Sequence, residues 1–386
     1  MMKMKTLAVV LLAVVLLSLL TSGYGYLKNV QLLLTGDLEA DTPVTVHFEY
    51  EKDLIIVRAN IGGESGLFLL DTAAFDSKIE RSFAQSLNLS PLTTKKVTTA
   101  QGVDGEVSVT QIPELRLGQA KFTKTSAGIL TFGDSSATQC IAPQGLIGAN
   151  LMSRGYWKID YQAQTLAISE HPLAIPDNAT KIDFKHPTLS AVPAIQLKIA
   201  GLEVGGVLFD TGFNGGLVLP RNLADRFDAD VAMNIVDQST SGIFGTNQDE
   251  IVVKELDVEI GASTATIPVE FSSLDKALLG NDVLEHFDVY LDYQQDAIYL
   301  TQRTEVEVDS PRSFVVGITD NNEWVVNRAL TSHPFKLGER IRTINGKKPN
   351  DLYSDFCDYF RNLDRLLGND TLTLETTKGE IIEIKQ

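Results

Sequence analysis

Two Asp-Thr dipeptides are the residues whose types and surroundings best suit chemistry. Leu69–Thr72 reads Leu-Leu-Asp-Thr and Leu208–Thr211 reads Leu-Phe-Asp-Thr, so Asp71 and Asp210 each follow an apolar stretch. An isolated charge at the end of a buried strand is expensive. Two carboxyls that face each other therefore share one proton and titrate as a coupled pair. The ionised carboxylate can activate a water molecule, while the protonated carboxyl hydrogen-bonds a substrate carbonyl.

The residue after each aspartate suits a supporting role. We expect Thr72 and Thr211 to hydrogen-bond across the interface between the two turns and so to fix both of them. Ala73 and Gly212 are small, which lets one backbone approach the other closely. The competing interpretation is that these are two structural turns, in which each aspartate only caps local N–H groups.

An internal repeat favours the chemical interpretation. Residues 55–168 resemble residues 194–300, with the matching positions in the same order. Each copy reads as a strand, a Gly-bearing turn, a second strand that runs into Asp-Thr, a short helix-like stretch (Glu80–Leu87 or Pro220–Phe227) and a final hairpin. The clearest matches pair Leu146, Gly148, Asp160, Tyr161 and Gln162 with Leu278, Gly280, Asp292, Tyr293 and Gln294. The repeat predicts two similar β-rich lobes related by a pseudo-two-fold axis, which brings the two Asp-Thr turns together.

The paired motifs resemble those of the pepsin-like and retropepsin-like aspartic peptidases, particularly bacterial exported members with an attached PDZ domain. Both copies carry Asp-Thr plus a small residue, and both end in an apolar-apolar-Gly motif, Leu146–Gly148 and Leu278–Gly280. The resemblance covers roughly residues 43–302. It implies a mainly β fold with two pseudo-symmetric retropepsin-like β-barrel lobes, and it implies that Asp71 and Asp210 form a catalytic dyad. It also implies a flap over the cleft in each lobe.

Three features need comparison with that family pattern. Ala73 stands where the family usually has Gly, and its Cβ would be costly if the backbone required a positive φ. Phe213 stands where a small residue is commoner. The Gly-containing stretches Gln101–Val103 and Gly242–Gly245 are either the flaps or ordinary hairpin turns.

The chain beyond Thr301 lies outside the repeat. A charged linker leads to predicted strands at Phe314–Ile318, Trp324–Ala329, Thr371–Thr376 and Ile381–Ile384, with an amphipathic helix at Leu352–Leu363. Leu337–Gly346 reads as a Leu-Gly-acid turn followed by an alternating strand that ends in Asn-Gly, a hairpin signal. This segment resembles bacterial PDZ domains, which bind extended peptides by adding them as a strand. The resemblance implies either substrate capture or a purely structural role.

The N-terminus predicts export. Lys3 and Lys5 precede an uncharged apolar run, Leu7–Leu20, and small residues follow. This pattern is typical of a secretory signal, and the run is short for a bilayer span of roughly 20 residues. An uncleaved anchor is the alternative, because no clear A-x-A site follows. We therefore expect a periplasmic or extracellular protein, with membrane contact only through such an anchor.

Composition excludes several other classes. The formal net charge of -17 argues against nucleic acid, which needs a basic surface. The five histidines are scattered without an H-E-x-x-H pair, and there is no G-x-S-x-G or P-loop motif. We therefore expect no metal and no cofactor. An oxidising compartment would allow one bridge between Cys140 and Cys357, but we expect two unpaired thiols.

These observations predict four segments: residues 1–25 as a signal peptide or N-terminal anchor, 27–174 as the first lobe, 175–303 as the second lobe, and 304–386 as a PDZ-like α+β domain. The predicted function is that of an exported aspartic endopeptidase acting on a peptide or protein substrate. A monomer suffices, because both lobes belong to one chain. The alternative is an exported peptide-binding adaptor whose peptidase-like lobes have weak or no activity.

Overall fold

The computed structural model describes residues 25–98, 104–132, 136–238, 241–242, 245–246, 248–319, 321–368 and 371–385. The predicted mainly β character is confirmed, because strands greatly outnumber short helices in these residues. Below, residues 27–174 are the first half, 175–303 the second half, and 304–386 the C-terminal segment. Their assignment as two peptidase lobes and a PDZ-like domain stays a prediction.

The first half consists of eleven strands and four short helices in the described residues. Strand β3 (Leu54–Ile61), which is buried on both faces, is linked to β4 (Glu64–Leu70) by a turn in which Gly62 and Gly63 both have positive φ. The helices are α1 (residues 25–34), α2 (Arg81–Ser86), α3 (Ala137–Ile141) and α4 (Ala149–Met152). The strands are β1 (Asp37–Glu39), β2 (Val44–Glu51), β3 (Leu54–Ile61), β4 (Glu64–Leu70), β5 (Ser77–Glu80), β6 (Thr93–Thr98), β7 (Asp104–Leu117), β8 (Ala120–Leu130), β9 (Gly145–Ile147), β10 (Tyr156–Asp160) and β11 (Thr165–Ser169).

The second half repeats this order of elements. The turn between β13 (Ala194–Ile199) and β14 (Leu202–Phe209) again contains residues with positive φ, Ala200 and Gly201. A 3-10 helix, η1 (Arg221–Arg226), stands where the first half has α2, and α5 (Asn281–Leu284) stands where it has α4. The strands are β12 (Thr180–Asp183), β13 (Ala194–Ile199), β14 (Leu202–Phe209), β15 (Leu217–Pro220), β16 (Met233–Asp237), β17 (Ser241–Gly242), β18 (Gly245–Thr246), β19 (Asp249–Ile260), β20 (Ser263–Ser272), β21 (Ala277–Leu279), β22 (Phe287–Asp292) and β23 (Ala297–Gln302).

The two halves share one sheet and one core. The final hairpin of each copy is present, as β10–β11 and β22–β23, and β10 also pairs with β22 in antiparallel register. Trp157 on β10 lies opposite Leu291 on β22, and both side chains are buried. A single apolar cluster extends from the first half into the second. The pairing therefore fixes the position of one half relative to the other.

The C-terminal segment has its own apolar core but joins the second half through a strand pair. Strands β24 (Phe314–Ile318), β25 (Trp324–Leu330), β26 (Arg340–Ile344), β27 (Thr371–Thr376) and β28 (Ile381–Lys385) form one sheet, with η2 (Pro349–Asp351), α6 (Phe356–Arg361) and α7 (Asp364–Leu367) beside it. Strand β25 also pairs with β16, which continues the sheet into the second half. The Arg328 guanidinium donates to Asp237 across this junction, with 2.8 Å between Nε and Oδ1.

Two local predictions for this segment need correction. The single helix predicted at Leu352–Leu363 is wrong in its bounds, because the Asp355 side chain caps a helix that starts at Phe356, and Asn362 ends it. The hairpin predicted at Asn-Gly is a tight turn: Asn345 and Gly346 both have positive φ, and Ile344 pairs with Lys347. The chain then enters η2 rather than a second strand.

The expectation of two unpaired thiols is wrong. Cys140 on α3 and Cys357 on α6 form a disulfide between residues 217 apart in sequence. Phe356 and Phe360 pack beside it on a small apolar cluster of the first half that includes Leu69 and Leu146. Sequence spacing does not reveal this pairing because the two cysteines meet only after the C-terminal segment has docked.

The N-terminal prediction, residues 1–25, lies almost wholly outside the described residues, so signal and anchor stay predictions. Within the part of the chain that the structure describes, no helix combines the length and hydropathy that crossing a bilayer requires.

We predict that the Cys140→Ser/Cys357→Ser double variant has a lower free energy of unfolding, by up to about 5 kcal/mol, because the bridge closes a long loop and so restricts the unfolded chain. Denaturant unfolding with and without a thiol reductant measures the loss. Arg361→Gln is the matched control: it removes the ion pair with Glu51 and the hydrogen bond to Cys140 O at the same contact, leaves the disulfide, and is expected to cost about 1 to 2 kcal/mol. Two titratable thiols in the unreduced, unfolded protein would contradict the prediction.

Candidate active site

The two Asp-Thr turns meet through their threonines. The Thr72 N–H donates to Thr211 Oγ1 at 3.1 Å, and the Thr211 N–H donates to Thr72 Oγ1 at 3.0 Å. Each hydroxyl then donates to the strand before the opposite aspartate: Thr72 Oγ1 to Phe209 O at 2.5 Å, and Thr211 Oγ1 to Leu70 O at 2.9 Å. Both threonines are fully buried, so these bonds have no competition from water. The structure thus places Thr72 and Thr211 in the predicted bracing position.

The aspartates lie side by side at this junction. The Asp71 carboxyl reaches the turn that carries Asp210 and Gly212. Asp71 Oδ1 also accepts the N–H groups of Ala73 and Ala74, at 3.0 and 2.7 Å, and Asp210 Oδ1 accepts that of Gly212, at 2.9 Å. Gly212 faces the opposite carboxyl so closely that a Cβ there would lie 2.4 Å from Asp71 Cγ. Glycine is therefore required at this position by space.

Both carboxyls hold a proton more tightly than an ordinary aspartate. Burial raises the pKa of Asp71, against the opposing effects of the Ala74 and Ala73 N–H groups and of Lys78. Burial, and then the charge of Asp71, raise the pKa of Asp210 well above its usual value. Since two adjacent carboxylates cannot both ionise cheaply, the pair is suited to share one proton.

The apolar-apolar-Gly motifs support these turns from below. Strand β9 pairs with β4 in parallel, and β21 pairs with β14 in the same way. The Asp71 N–H donates to Ile147 O, and the Asp210 N–H donates to Leu279 O, both at 2.9 Å. Gly148 and Gly280 lie directly against the loops that follow Asp71 and Asp210, where a Cβ would come within 2.7 Å and 2.3 Å of backbone atoms. Each motif therefore fixes the position and the direction of one aspartate.

The two departures from the family pattern are accommodated. Ala73 is not among the described residues with positive φ, so its Cβ costs no backbone strain. The Phe213 ring occupies the space above two glycines, because a Cβ on Gly215 or Gly280 would lie within 2.5 Å of ring atoms. The local sequence thus makes room for the larger side chain.

Sequence reasoning missed several supporting residues. Asn281 Nδ2 donates to Thr211 O at 2.9 Å and to Asp53 O at 2.7 Å, and its Oδ1 accepts the Tyr161 hydroxyl at 2.8 Å. In the first half, Asn150 Oδ1 accepts the Ser77 N–H at 2.7 Å. The available signal was an Asn soon after each apolar-apolar-Gly motif.

The two predicted flap regions cannot be followed to their tips. Gln101–Val103 lies outside the described residues, as do Ile243 and Phe244 within Gly242–Gly245. The stems are described: β6 pairs with β7, and β16 pairs with β19. Across the described ranges, no group of three or more His, Cys, Asp or Glu side chains is arranged to hold a metal ion.

Comparison with known proteins supports one part of this region. Residues 57–151, which include Asp71 and the Leu146–Gly148 motif, match the family model described as aspartyl protease. A search of curated proteins found no match to the chain. The family match supports an aspartyl protease family for this chain, on the first half of the repeat alone.

We predict that Gly212→Ala lowers the thermal unfolding midpoint, because the new Cβ must displace the Asp71 carboxyl and thereby loosen both turns. Ala73→Gly is the matched control at the equivalent position, and it is expected to change the free energy of unfolding by about 1 kcal/mol or less, since only backbone entropy changes. Thermal unfolding of both variants measures the difference. Equal midpoints would mean that the close approach at Gly212 is not maintained in solution.

A second prediction concerns pH. Because the pKa of Asp210 is raised in the folded state, folding of the wild type is favoured while the group is protonated, and this contribution is lost as pH rises through the folded pKa. Asp210→Asn stays neutral, so we expect it to raise the unfolding midpoint at pH 8 by more than at pH 4. Unfolding scans between these values measure the difference, with exposed Asp228→Asn as the control. A pH-independent difference would contradict the assigned environment of Asp210.

Proposed function

We propose that the protein is an aspartic endopeptidase, in which Asp71 and Asp210 together activate a water molecule for attack on a peptide bond. The observation that carries the proposal is the reciprocal hydrogen bonding of Thr72 and Thr211, which brings the turns of Asp71 and Asp210 together at the junction of the two halves. The family match to residues 57–151 supports the same chemistry.

The roles follow from the shared proton. One carboxylate removes a proton from the water, which then attacks the carbonyl carbon of the substrate. The other carboxyl donates a hydrogen bond to the carbonyl oxygen and stabilises the negative charge that develops there. The backbone N–H groups of Ala73, Ala74 and Gly212 keep the carboxyl planes oriented, so little reorganisation is needed during the reaction.

Export remains part of the proposal. The disulfide supports it, because such bridges form and persist mainly in oxidising compartments. We propose a periplasmic or extracellular location, with residues 1–25 as signal or anchor. Two retropepsin-like lobes and a PDZ-like C-terminal domain are likewise proposed, and one chain supplies both aspartates, so no dimer is needed.

The adaptor alternative has less support. It needs a free strand edge or groove for peptide in the C-terminal segment, and the Tyr359 hydroxyl on α6 donates to Val316 O on β24, so one main-chain acceptor of this strand is already bound. A peptide would have to compete with this contact. The peptidase proposal therefore stands as the better one.

We predict that Asp71→Asn and Asp210→Asn each reduce peptide hydrolysis by at least about a thousandfold, because each removes one of two groups that act as a unit. Digestion of a peptide library from pH 3 to 8, with and without a statine-type inhibitor, measures turnover. Ala73→Gly, adjacent to the dyad, should retain activity. Undiminished cleavage by both Asn variants would refute the proposal, and binding of peptides without any cleavage by the wild type would favour the adaptor.

A further inference from the structure

A buried group of three charged side chains lies just beyond the first Asp-Thr turn. Asp76 follows the turn, Lys78 is on β5, and Lys95 is on the flap stem β6. Lys95 Nζ lies 2.8 Å from Asp76 Oδ2, and Lys78 Nζ contacts Asp76 Oδ1 and lies 2.8 Å from Asp76 O. Asp76 and Lys78 are 2% and 6% exposed. Charged residues this deeply buried are rare unless they are paired, and here one acid pairs with two bases.

The charges of this group do not balance. Burial alone would raise the pKa of Asp76, but Lys78 and Lys95 overcome this effect and lower it, so the carboxylate is ionised. Burial, opposed by Asp76, lowers the pKa of Lys95. With both lysines charged, two ammonium groups face one carboxylate and leave one net positive charge. Asp76 and Lys78 closely follow Asp71 in the chain, and the charge of Lys78 partly opposes the burial that raises the pKa of Asp71.

The second half has no counterpart. Lys78 pairs with Leu146 on β9, and in the second half Val218 pairs with the matching Leu278 on β21. Lys78 therefore occupies a position that is apolar beside Asp210. The chain also makes room for the lysine stem, because a Cβ on Gly128 would lie 2.9 Å from Lys78 Cδ. The repeat is thus electrostatically asymmetric at its centre.

The hydrogen bonds to the two aspartates show the same asymmetry. Asp71 accepts two backbone N–H groups, from Ala73 and Ala74, whereas Asp210 accepts one, from Gly212. Each donor stabilises the ionised form of the carboxylate that accepts it. Both the nearby positive charge and the extra donor therefore favour negative charge on Asp71.

We propose that Asp76, Lys78 and Lys95 form a positioning group that places the negative charge of the dyad on Asp71 and the shared proton on Asp210. This inference rests on the proposed function. In the reaction, Asp71 is then the base that takes the proton from water, and Asp210 is the acid that hydrogen-bonds the substrate carbonyl. None of the three residues has to touch the substrate.

Other ionisable groups near the dyad do not produce this asymmetry. Tyr293, at the end of β22, is buried near Asp71, and burial, followed by the charge of Asp71, raises the pKa of its hydroxyl, so it stays neutral. Asp282 on α5 is influenced by Asp53 and Glu285 rather than by the dyad, after the larger effect of burial. The charge of Lys78, by contrast, opposes the burial that raises the pKa of Asp71.

Three variants distinguish an electrostatic role of this group from a purely structural one. Lys78→Met leaves a balanced Asp76–Lys95 pair, whereas Asp76→Asn leaves two lysines without a counter-charge. The double variant Asp76→Asn/Lys78→Met loses the same contacts but keeps one net positive charge, on Lys95. The pH dependence of kcat/KM is measured for all three and for the wild type, with folding checked by circular dichroism.

We expect Lys78→Met to move the acidic limb of the profile to higher pH by about half a unit to one unit, and Asp76→Asn to move it to lower pH. The double variant should remain near the wild type. Shifts in the same direction for both single variants would overturn the proposal, because a merely structural role gives no change of sign. If Lys78→Met fails to fold, Lys95→Met makes the same charge change at a less buried site.

Carboxyl 13C NMR of the full chain, labelled at aspartate, tests the assignment without any turnover. The proposal requires that the resonance lost in Asp71→Asn titrates at lower pH than the one lost in Asp210→Asn. The reverse order would overturn it, even if the protein cleaves peptides. If no peptide is cleaved but the titration order holds, the peptidase proposal fails and the electrostatic assignment stands.

Discussion

The exchange of hydrogen bonds between Thr72 and Thr211 is the constraint on which the rest of the structure depends. Each threonine uses its N–H and its hydroxyl to bind the opposite turn, and both are fully buried. This contact holds two carboxyls together although both lose hydration and repel each other when ionised. The structure tolerates this free-energy cost because the β10–β22 pair and the shared apolar core hold the two halves in one position.

The internal repeat gives the two aspartates the same backbone geometry. Positions at which the two copies differ give them different electrostatic surroundings. Matching strands position the two aspartates in the same way, because the Asp71 N–H donates to Ile147 O and the Asp210 N–H donates to Leu279 O. Around this symmetric frame, Lys78 lies on the strand that follows one aspartate, and Val218 holds the matching position after the other. A symmetric pair of carboxyls would have no intrinsic preference for the location of the proton. Small sequence differences between the two copies, close to the aspartates, can therefore give the two carboxyls different roles.

The C-terminal segment forms a second connection between the two halves, in addition to the β10–β22 pair. It is attached to the first half by the Cys140–Cys357 bridge and to the second by the β16–β25 pair. Since β16 also pairs with β19 in the region predicted as the second flap, the segment contacts that region as well as the α3 region of the first half. The relative position of the halves is thus restrained at the central sheet and at this external contact.

The sequence by itself determined the repeat, the mainly β class, the strands that carry Asp71 and Asp210, and the glycines beneath them, because these depend on local patterns and on internal matching. Only the tertiary structure decided the disulfide and the Asp76–Lys78–Lys95 group. Side chains far apart in sequence meet there, and no local pattern encodes which ones. The partner of a buried charge is chosen by packing, so a lysine in a strand such as β5 reads from sequence as an exposed residue until the fold encloses it.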